Sequence, residues 1–253
     1  MAALQYRFDG PGHAPVVLLL PPLGTTMSVW EPQLSELTRD HRVLRVNHRG
    51  HGSSPAPEGP YTVEELALDL LGLLESEGLT RVSAVGAGLG GALLVWIAAN
   101  SPRTLERLAL LAPAPRTPRT HRWDLLASRV RGGGLEAVAA EVVRPWFTPD
   151  MGEEHPEVVA RLTEEFGGLD PDGFASVCDA LARMDQRHLV ASVRVPTLVA
   201  SAAHDPLLPP GHGCRLADGI PAARFEVVPG AAHLLGVERA DRVNELLVEH
   251  LAR

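Results

Sequence analysis

The chain has 253 residues, 45% of them hydrophobic, and its 31 acidic and 23 basic residues give a formal net charge of −8. Because the basic residues are scattered rather than gathered into a patch, the composition does not favour nucleic acid as a partner. The early apolar run Val16–Leu20 is too short to span a bilayer, and we expect a cytoplasmic protein with no membrane partner.

The beginning of the chain predicts a β-hairpin whose second arm is a buried strand. Residues 6–8 are separated from the apolar run Val16–Leu20 by the turn residues 9–12, and turn residues between two such runs are typical of a hairpin. A loop follows, because Pro21 and Pro22 have no amide donors for a sheet.

The next segments predict a strand and then a helix. Residues 43–46 are apolar except for Arg45 and predict a buried strand, while apolar residues recur at helical spacing over residues 62–77. Thr62 and Glu65 have the spacing of a capping box, and Gly78 is placed to end the helix.

The central segment, residues 82–91, predicts a buried strand, a sharp turn and the start of a helix. Its apolar run is broken by glycines and followed by a helical segment, residues 92–100. Gly86, Gly90 and Gly91 provide positions without side chains where the two backbones approach.

This spacing is that of the nucleophile elbow, Gly-x-Ser-x-Gly, but the corner residue is Gly88. No neighbour replaces the hydroxyl, since Ala87 and Leu89 are inert and Ser83 lies upstream within the strand. Three interpretations stay open: a change that accompanies a new reaction, a change that leaves a binding protein, and an engineered substitution that traps a ligand. Glycine relaxes a strained corner, which favours a natural change.

The remaining chain alternates between strands and helical segments. Strands are predicted at residues 108–111, 196–200 and 225–228, and a final helix at residues 238–251. The alternation predicts an α/β fold with a mostly parallel, doubly wound sheet.

The predicted helices between two of these strands indicate an inserted cap. Residues 117–190 show helix after helix with no convincing strand. We therefore expect a core of residues 1–116 and 191–253 and a helical cap of residues 117–190.

Two side chains at predicted strand ends are candidates for catalysis. Asp205 follows the next-to-last strand and His233 the last, and ligands of such sheets bind beyond the carboxyl ends of the strands. A carboxylate that orients an imidazole produces a general base near neutral pH. Four other histidines are expected to be loop or surface residues: His48, His51, His204 and His212.

Several segments beyond the elbow carry a resemblance to a known family. They are the loop at residues 23–30, the Arg-Gly-His-Gly-Ser-Ser run at 49–54, Trp-Phe-Thr at 146–148 and the run at 173–185. On these residues the chain resembles the α/β-hydrolases, and within them the 3-oxoadipate enol-lactonases, nearly from end to end.

The resemblance implies Asp205 as the acid and His233 as the base of a catalytic triad, with Gly88 in place of the nucleophile. It also implies an oxyanion hole formed by the backbone amides of Leu23 and Leu89. Two positions depart from the family's pattern: Pro21-Pro22 stand in place of its His-Gly, and Asn47 in place of an Asp.

For the substrate cavity, the resemblance implies that Trp146 presents a flat apolar face and that Arg144 is available for a carboxylate or another oxyanion. A packed aromatic beside a solvated charge is an equally good interpretation of that pair. Trp123, Phe174 and Met27 are expected as wall residues.

These residues favour non-covalent acid–base catalysis on an apolar small-molecule substrate with a carbonyl or phenol, and an aromatic lining would suit a large one such as a specialised metabolite. Suitable reactions are isomerisation, cyclisation, epoxide opening, and formation or cleavage of a C–C bond, as in specialised metabolism. One alternative is hydrolysis of an enol-lactone or ester by water, and another is a ligand-binding protein without turnover. The mechanism needs no cofactor and no metal is signalled, while the sequence leaves a homodimer open.

Overall fold

A computed structural model describes residues 2–118, 120–221 and 223–252. Within them, a seven-stranded sheet flanked by helices confirms the predicted α/β fold. The strands are β1 (Tyr6–Asp9), β2 (Val16–Leu20), β3 (Arg42–Val46), β4 (Val82–Ala87), β5 (Leu105–Leu111), β6 (Thr197–Ala202) and β7 (Ala223–Val228). Their spatial order is β1-β3-β2-β4-β5-β6-β7, with β1 antiparallel and the other pairs parallel.

The helices in chain order are α1 (Glu31–Leu37), α2 (Val63–Ser76), α3 (Leu89–Asn100), α4 (Thr120–Gly133), α5 (Ala139–Val143), α6 (Pro149–Glu154), α7 (Pro156–Gly167), α8 (Pro171–Arg183), α9 (Gly211–Gly219), α10 (Leu235–Glu238) and α11 (Ala240–Leu251). Helix α2 begins with the predicted capping box, in which Thr62 and Glu65 exchange side-chain and backbone hydrogen bonds. None of the helices in the described part of the chain is long and apolar enough to cross a membrane.

The predicted opening hairpin is wrong. Strand β1 pairs antiparallel with β3, not with β2, and the register places Tyr6 opposite Val46. Strand β2 is almost wholly buried and has parallel neighbours, β3 and β4, on its two edges. Because both edges of β2 are taken, β1 pairs with the outer edge of β3.

The turn from β4 to α3 rests on direct contact between backbones. A Cβ built on Gly90 would lie 2.3 Å from the carbonyl oxygen of Leu20, and one built on Gly86 would lie 2.5 Å from the carbonyl carbon of Gly90. Both distances are shorter than real Cβ contacts, so only glycine fits at these two positions. The contact places the loop after β2 beside the corner residue Gly88.

Helices α4 to α8 lie between β5 and β6 in the chain, and we call them the cap. The two ends of this segment lie side by side: the Thr117 amide donates to the Met184 carbonyl at 3.3 Å, and the Gln186 amide donates to the Pro115 carbonyl at 2.8 Å. The exact boundaries of the expected cap, residues 117–190, stay a prediction.

One carboxylate connects the cap to the core loop after β2. Glu165 of α7 accepts hydrogen bonds from the hydroxyls of Thr26 and Ser28 at 2.9 and 2.5 Å. It also pairs with Arg161 one turn earlier on α7, at 2.8 Å. The cap is therefore hydrogen-bonded to the segment that follows Leu23.

We expect Gly90→Ala to destabilise the fold by about 2–4 kcal/mol, because the new methyl group meets backbone that cannot move aside. Gly132→Ala is the matched control, since a Cβ at that exposed position of α4 has no neighbour within 4 Å. The control is expected to stabilise the protein by up to about 1 kcal/mol. Urea unfolding of both variants checks this, and equal effects of the two substitutions would contradict the described contact.

Candidate active site

Gly88 occupies the corner between β4 and α3. Its φ of +47° lies in the left-handed region, where a side chain is strained. An ideal Cβ at this position would lie 3.3 Å from Nε2 of His233 and 3.2 Å from Cβ of Pro22. A side chain at residue 88 would thus point at the imidazole, and glycine leaves that space free of protein atoms.

His233 and Asp205 form the predicted pair. Nδ1 of His233 lies 2.8 Å from Oδ2 of Asp205, and both side chains are buried. The other carboxylate oxygen, Oδ1, accepts the amides of Leu207 and Leu208 at 2.8 and 3.0 Å. In the neutral ring, Nδ1–H donates to the carboxylate, so Nε2 is left as an acceptor on the side of Gly88.

The carboxylate of Asp205 stays ionised despite its burial. Burial acts to raise the pKa of Asp205, but the neighbouring His233 and the two backbone amides outweigh it, and the net pKa is lowered. An ionised carboxylate stabilises the imidazolium that forms when Nε2 of His233 takes up a proton.

Leu23 and Leu89 lie on the same cavity as Gly88 and His233. Leu89 is the first residue of α3, where a helix leaves amide donors without intrahelical partners and its dipole favours negative charge. Among the described residues, none accepts a hydrogen bond from the Leu23 amide. The two residues predicted to form an oxyanion hole thus both line the cavity that contains His233.

The cavity over Gly88 has a mostly apolar lining. Trp123, Trp146 and Phe174 lie in its wall as predicted, and the latter two are fully buried. The other lining residues were not predicted from the sequence: Ala92, Ala114, Thr117, Pro118, Arg122, Leu126, Val142, Leu181, Met184, Leu207 and Leu208. An apolar wall with a few polar groups is typical of a site for a small organic molecule.

Two predicted cavity residues do not line it. Arg144 is exposed and lies on an outer groove between cap and core, because it begins the short 3-10 turn Arg144–Trp146 that directs Trp146 inward. Met27 lies below the loop, where its amide donates to Oδ1 of Asn47 at 2.6 Å. Neither residue lines this cavity, and the exposure of Arg144 fits the alternative interpretation of a solvated charge.

Arg122 of α4 is the cationic residue that the cavity does contain. It is half-buried, lines both the cavity and the outer groove, and lies 4.0 Å from the carboxylate of Glu141. Its place directly before Trp123 was the only signal in the sequence, and nothing there distinguished it from the other arginines of the cap.

His48 and His51 lie in the loop after β3, in agreement with the prediction of loop or surface residues, but they are buried, with exposed fractions of 2% and 0%. Burial and the neighbouring His51 lower the pKa of His48 to about 3, and burial lowers the pKa of His51 to about 4. Both rings are therefore neutral at pH 7. His204 is exposed and His212 half-buried, and both lie outside the cavity.

The departure at Asn47 has a local explanation. While its Oδ1 accepts the Met27 amide, its Nδ2 donates to Oε1 of Gln5 at 2.7 Å. An ionised Asp could not make the second bond, because a carboxylate only accepts.

Within the described ranges, no group of three or more His, Cys, Asp and Glu side chains is arranged to hold a metal ion.

Comparisons with known proteins agree with this fold. A model described as the alpha/beta hydrolase family matches residues 17–246. The chain is 30% identical over 242 residues to 3-oxoadipate enol-lactonase 2 of Acinetobacter baylyi, which covers 96% of this chain and 90% of that protein.

Two solved structures are similar over nearly the whole chain. The enol-lactonase from Burkholderia xenovorans LB400 has 38% identity and a TM-score of 0.97, with 100% of this chain and 97% of that chain covered. A thermophilic esterase from Thermogutta terrifontis has 28% identity and a TM-score of 0.92, with coverage of 98% and 92%.

We expect Gly88→Ser to make the protein reactive toward a fluorophosphonate probe, because the new Oγ lies within reach of Nε2 of His233. Wild-type protein and Gly88→Ala are expected to stay unlabelled at this position. Intact-protein mass spectrometry with peptide mapping checks this. Labelling of the wild-type protein at another serine would mean that the nucleophile lies elsewhere.

The free energy of unfolding is expected to fall as the pH falls from about 6.5 to about 4. In that window the unfolded chain binds protons on His48 and His51 that the folded protein excludes, so each costs up to about 1.4 kcal/mol per pH unit. Urea unfolding at pH 7, 6 and 5 measures the slope. His51→Gln should reduce it, exposed His188→Gln should not, and equal slopes in all three proteins would contradict the buried neutral rings.

Proposed function

This chain belongs to the alpha/beta hydrolase family and is an enzyme, and we propose that it hydrolyses an enol-lactone or a related small ester by direct attack of water. The observation that carries the proposal is the free space at Gly88, which Nε2 of His233 faces at 3.3 Å from an ideal Cβ. A water molecule there replaces the hydroxyl of a covalent nucleophile. The relatives named above favour hydrolysis over the non-hydrolytic reactions that the sequence put first.

His233 is the general base in this proposal. Its Nε2 takes a proton from the water as the water oxygen attacks the carbonyl carbon, and Asp205 holds the ring and stabilises the imidazolium. The carbonyl oxygen becomes an oxyanion that accepts hydrogen bonds from the amides of Leu23 and Leu89. Trp123, Trp146 and Phe174 pack against the apolar part of the substrate.

Collapse of the tetrahedral intermediate breaks the bond to the ring oxygen, and the imidazolium of His233 returns its proton to the leaving group. The leaving group of an enol-lactone is an enolate, which is far less basic than an alkoxide. Its departure therefore needs less assistance, so a site without a covalent nucleophile suits this substrate class better than it suits saturated esters. The product is a single molecule that carries the new carboxylate and an enol, and the enol tautomerises to a ketone.

The second candidate is proton transfer without hydrolysis, such as isomerisation or ring closure of a carbonyl compound. It is favoured by the missing side chain at Gly88 together with the apolar cavity wall, which leaves room for a substrate C–H at Nε2 of His233. The same two amides would then stabilise an enolate.

Turnover of α-angelica lactone, an enol-lactone, in H₂¹⁸O tests the proposal. We expect one ¹⁸O atom in the product carboxylate, a rate about 100-fold or more above that for saturated γ-valerolactone, and no acyl adduct on the intact protein. Hydrolysis with a covalent adduct would overturn the mechanism, and consumption of the lactone without ¹⁸O would favour the second candidate.

His233→Ala is expected to lower kcat by about 10²- to 10⁴-fold, because it removes the general base. Asp205→Asn should also lower it, since the amide no longer stabilises the imidazolium. His188→Ala, which changes an exposed histidine outside the cavity, is the matched control and should leave kcat unchanged. Wild-type kcat in His233→Ala would contradict the assignment.

A further inference from the structure

We propose that His48 and His51 are positioning residues that, as neutral imidazoles, hold the loop of residues 21–24 so that the Leu23 amide faces the reacting carbonyl. The inference rests on the proposed function, because it assigns these residues a role in the same oxyanion hole. It follows from the hydrogen-bond partners of the Pro21 and Pro22 carbonyls and of the Gly24 amide.

The loop contains a tight turn. The Thr25 amide donates to the carbonyl of Pro22 at 3.3 Å, and Gly24 has a φ of +86°, the features of a type II turn. The Thr25 hydroxyl donates to the same carbonyl at 3.1 Å. Because the peptide between Pro22 and Leu23 is trans, fixing its carbonyl on one side directs the Leu23 N–H to the opposite side.

His51 holds the second half of the turn. The Gly24 amide donates to Nε2 of His51 at 3.1 Å, and Nδ1 of the same ring lies 2.9 Å from the carbonyl of Arg49. These two contacts require a neutral ring with its proton on Nδ1. A protonated ring would set an N–H against the Gly24 N–H, and the peptide between Leu23 and Gly24 would lose its anchor.

His48 holds the first half. Its Nε2 lies 2.7 Å from the carbonyl of Pro21, so this ring carries its proton on Nε2 and donates. The two histidines therefore adopt opposite tautomers, each matched to the backbone group that it meets. Their ring centroids are 5.8 Å apart in an edge-to-face arrangement, which keeps each ring in place.

Only one amide of the loop is left for a ligand. Pro21 and Pro22 have no N–H, and the Gly24 amide is bound to His51. Leu23 carries the remaining N–H of this loop, and no described residue accepts it. Because Pro21 and Pro22 stand where the family commonly has His-Gly, the Leu23 amide is the one backbone donor that residues 21–24 leave for a ligand.

The histidines also connect the loop to the cavity wall. The ring of His51 packs against Phe174 at 6.5 Å between centroids, and Phe174 lines the cavity. On the opposite side, a Cβ at Gly24 would lie 2.9 Å from Cζ2 of Trp146. The turn is therefore enclosed between buried aromatic rings, and the imidazoles cannot be replaced by water without repacking.

The test compares binding of two probes to the wild-type protein, His51→Phe and His51→Gln. Methyl butylphosphonate is an anion that imitates the tetrahedral intermediate, and N-methylpyrrolidinone is a neutral carbonyl compound. We expect His51→Phe to weaken phosphonate binding by about 10- to 100-fold and pyrrolidinone binding by less than about 3-fold, because an oxyanion donor acts mainly on developed charge. His51→Gln, which keeps an acceptor for Gly24, should recover most of the affinity.

A second measurement does not depend on any variant. Long-range ¹H–¹⁵N NMR of the wild-type protein at pH 7 should show the Nδ1–H tautomer for His51 and the Nε2–H tautomer for His48.

If His51→Phe does not fold, the probe-binding test uses Thr25→Val instead. This variant removes the hydroxyl donor to the Pro22 carbonyl, and we expect the same probe selectivity.

The inference is overturned if either tautomer is wrong, if the wild-type protein does not bind the phosphonate, or if the folded variants bind both probes with unchanged affinity. Selective loss of phosphonate binding in a protein that hydrolyses no lactone or ester would support the positioning role while refuting the proposed function. Lactone hydrolysis at the wild-type rate in His51→Phe would support the proposed function while refuting the positioning role.

Discussion

The backbone contact between Gly90 and Leu20 is the constraint on which the site depends. Since the Gly90 backbone leaves no room for a methyl group beside the Leu20 carbonyl, the end of β2 and the start of α3 must lie together. This contact holds the loop of Leu23 beside the corner residue Gly88 and the start of α3 at Leu89. His233 reaches the same cavity from the loop after β7, where Asp205 holds its ring.

The histidines of the site differ in the groups that they contact. Nδ1 of His233 meets a buried carboxylate, which leaves Nε2 as the acceptor beside Gly88. His48 and His51 have backbone partners and, among the described residues, no carboxylate at hydrogen-bonding distance, and burial keeps them neutral. His233 is thus the proposed proton acceptor, while His48 and His51 hold the backbone as neutral rings.

Much of the core could be predicted because its signals are local. Buried parallel strands appear as apolar runs, and the capping box at Thr62 and the glycine corner have fixed spacings. The pairing of β1 with β3 could not be predicted, since it depends on which strand edges the rest of the sheet leaves free.

The site residues likewise divide into those with a local signal in the sequence and those whose place depends on packing. Asp205 and His233 could be found from their positions after strands and from the resemblance to a family. The burial of His48 and His51, the outward direction of Arg144 and the inward place of Arg122 depend on how the cap and the loops pack together. No spacing in the chain carries that information.

The carboxylate of Glu165 has a consequence for how the enzyme admits a molecule. It joins helix α7 to the hydroxyls of Thr26 and Ser28, a few residues beyond Leu23. Any outward movement of α7 therefore strains or breaks the attachment of the segment that presents this donor. The position of the cap and the geometry of the Leu23 loop are therefore coupled, so a substitution that displaces α7 also disturbs the backbone beside Gly88.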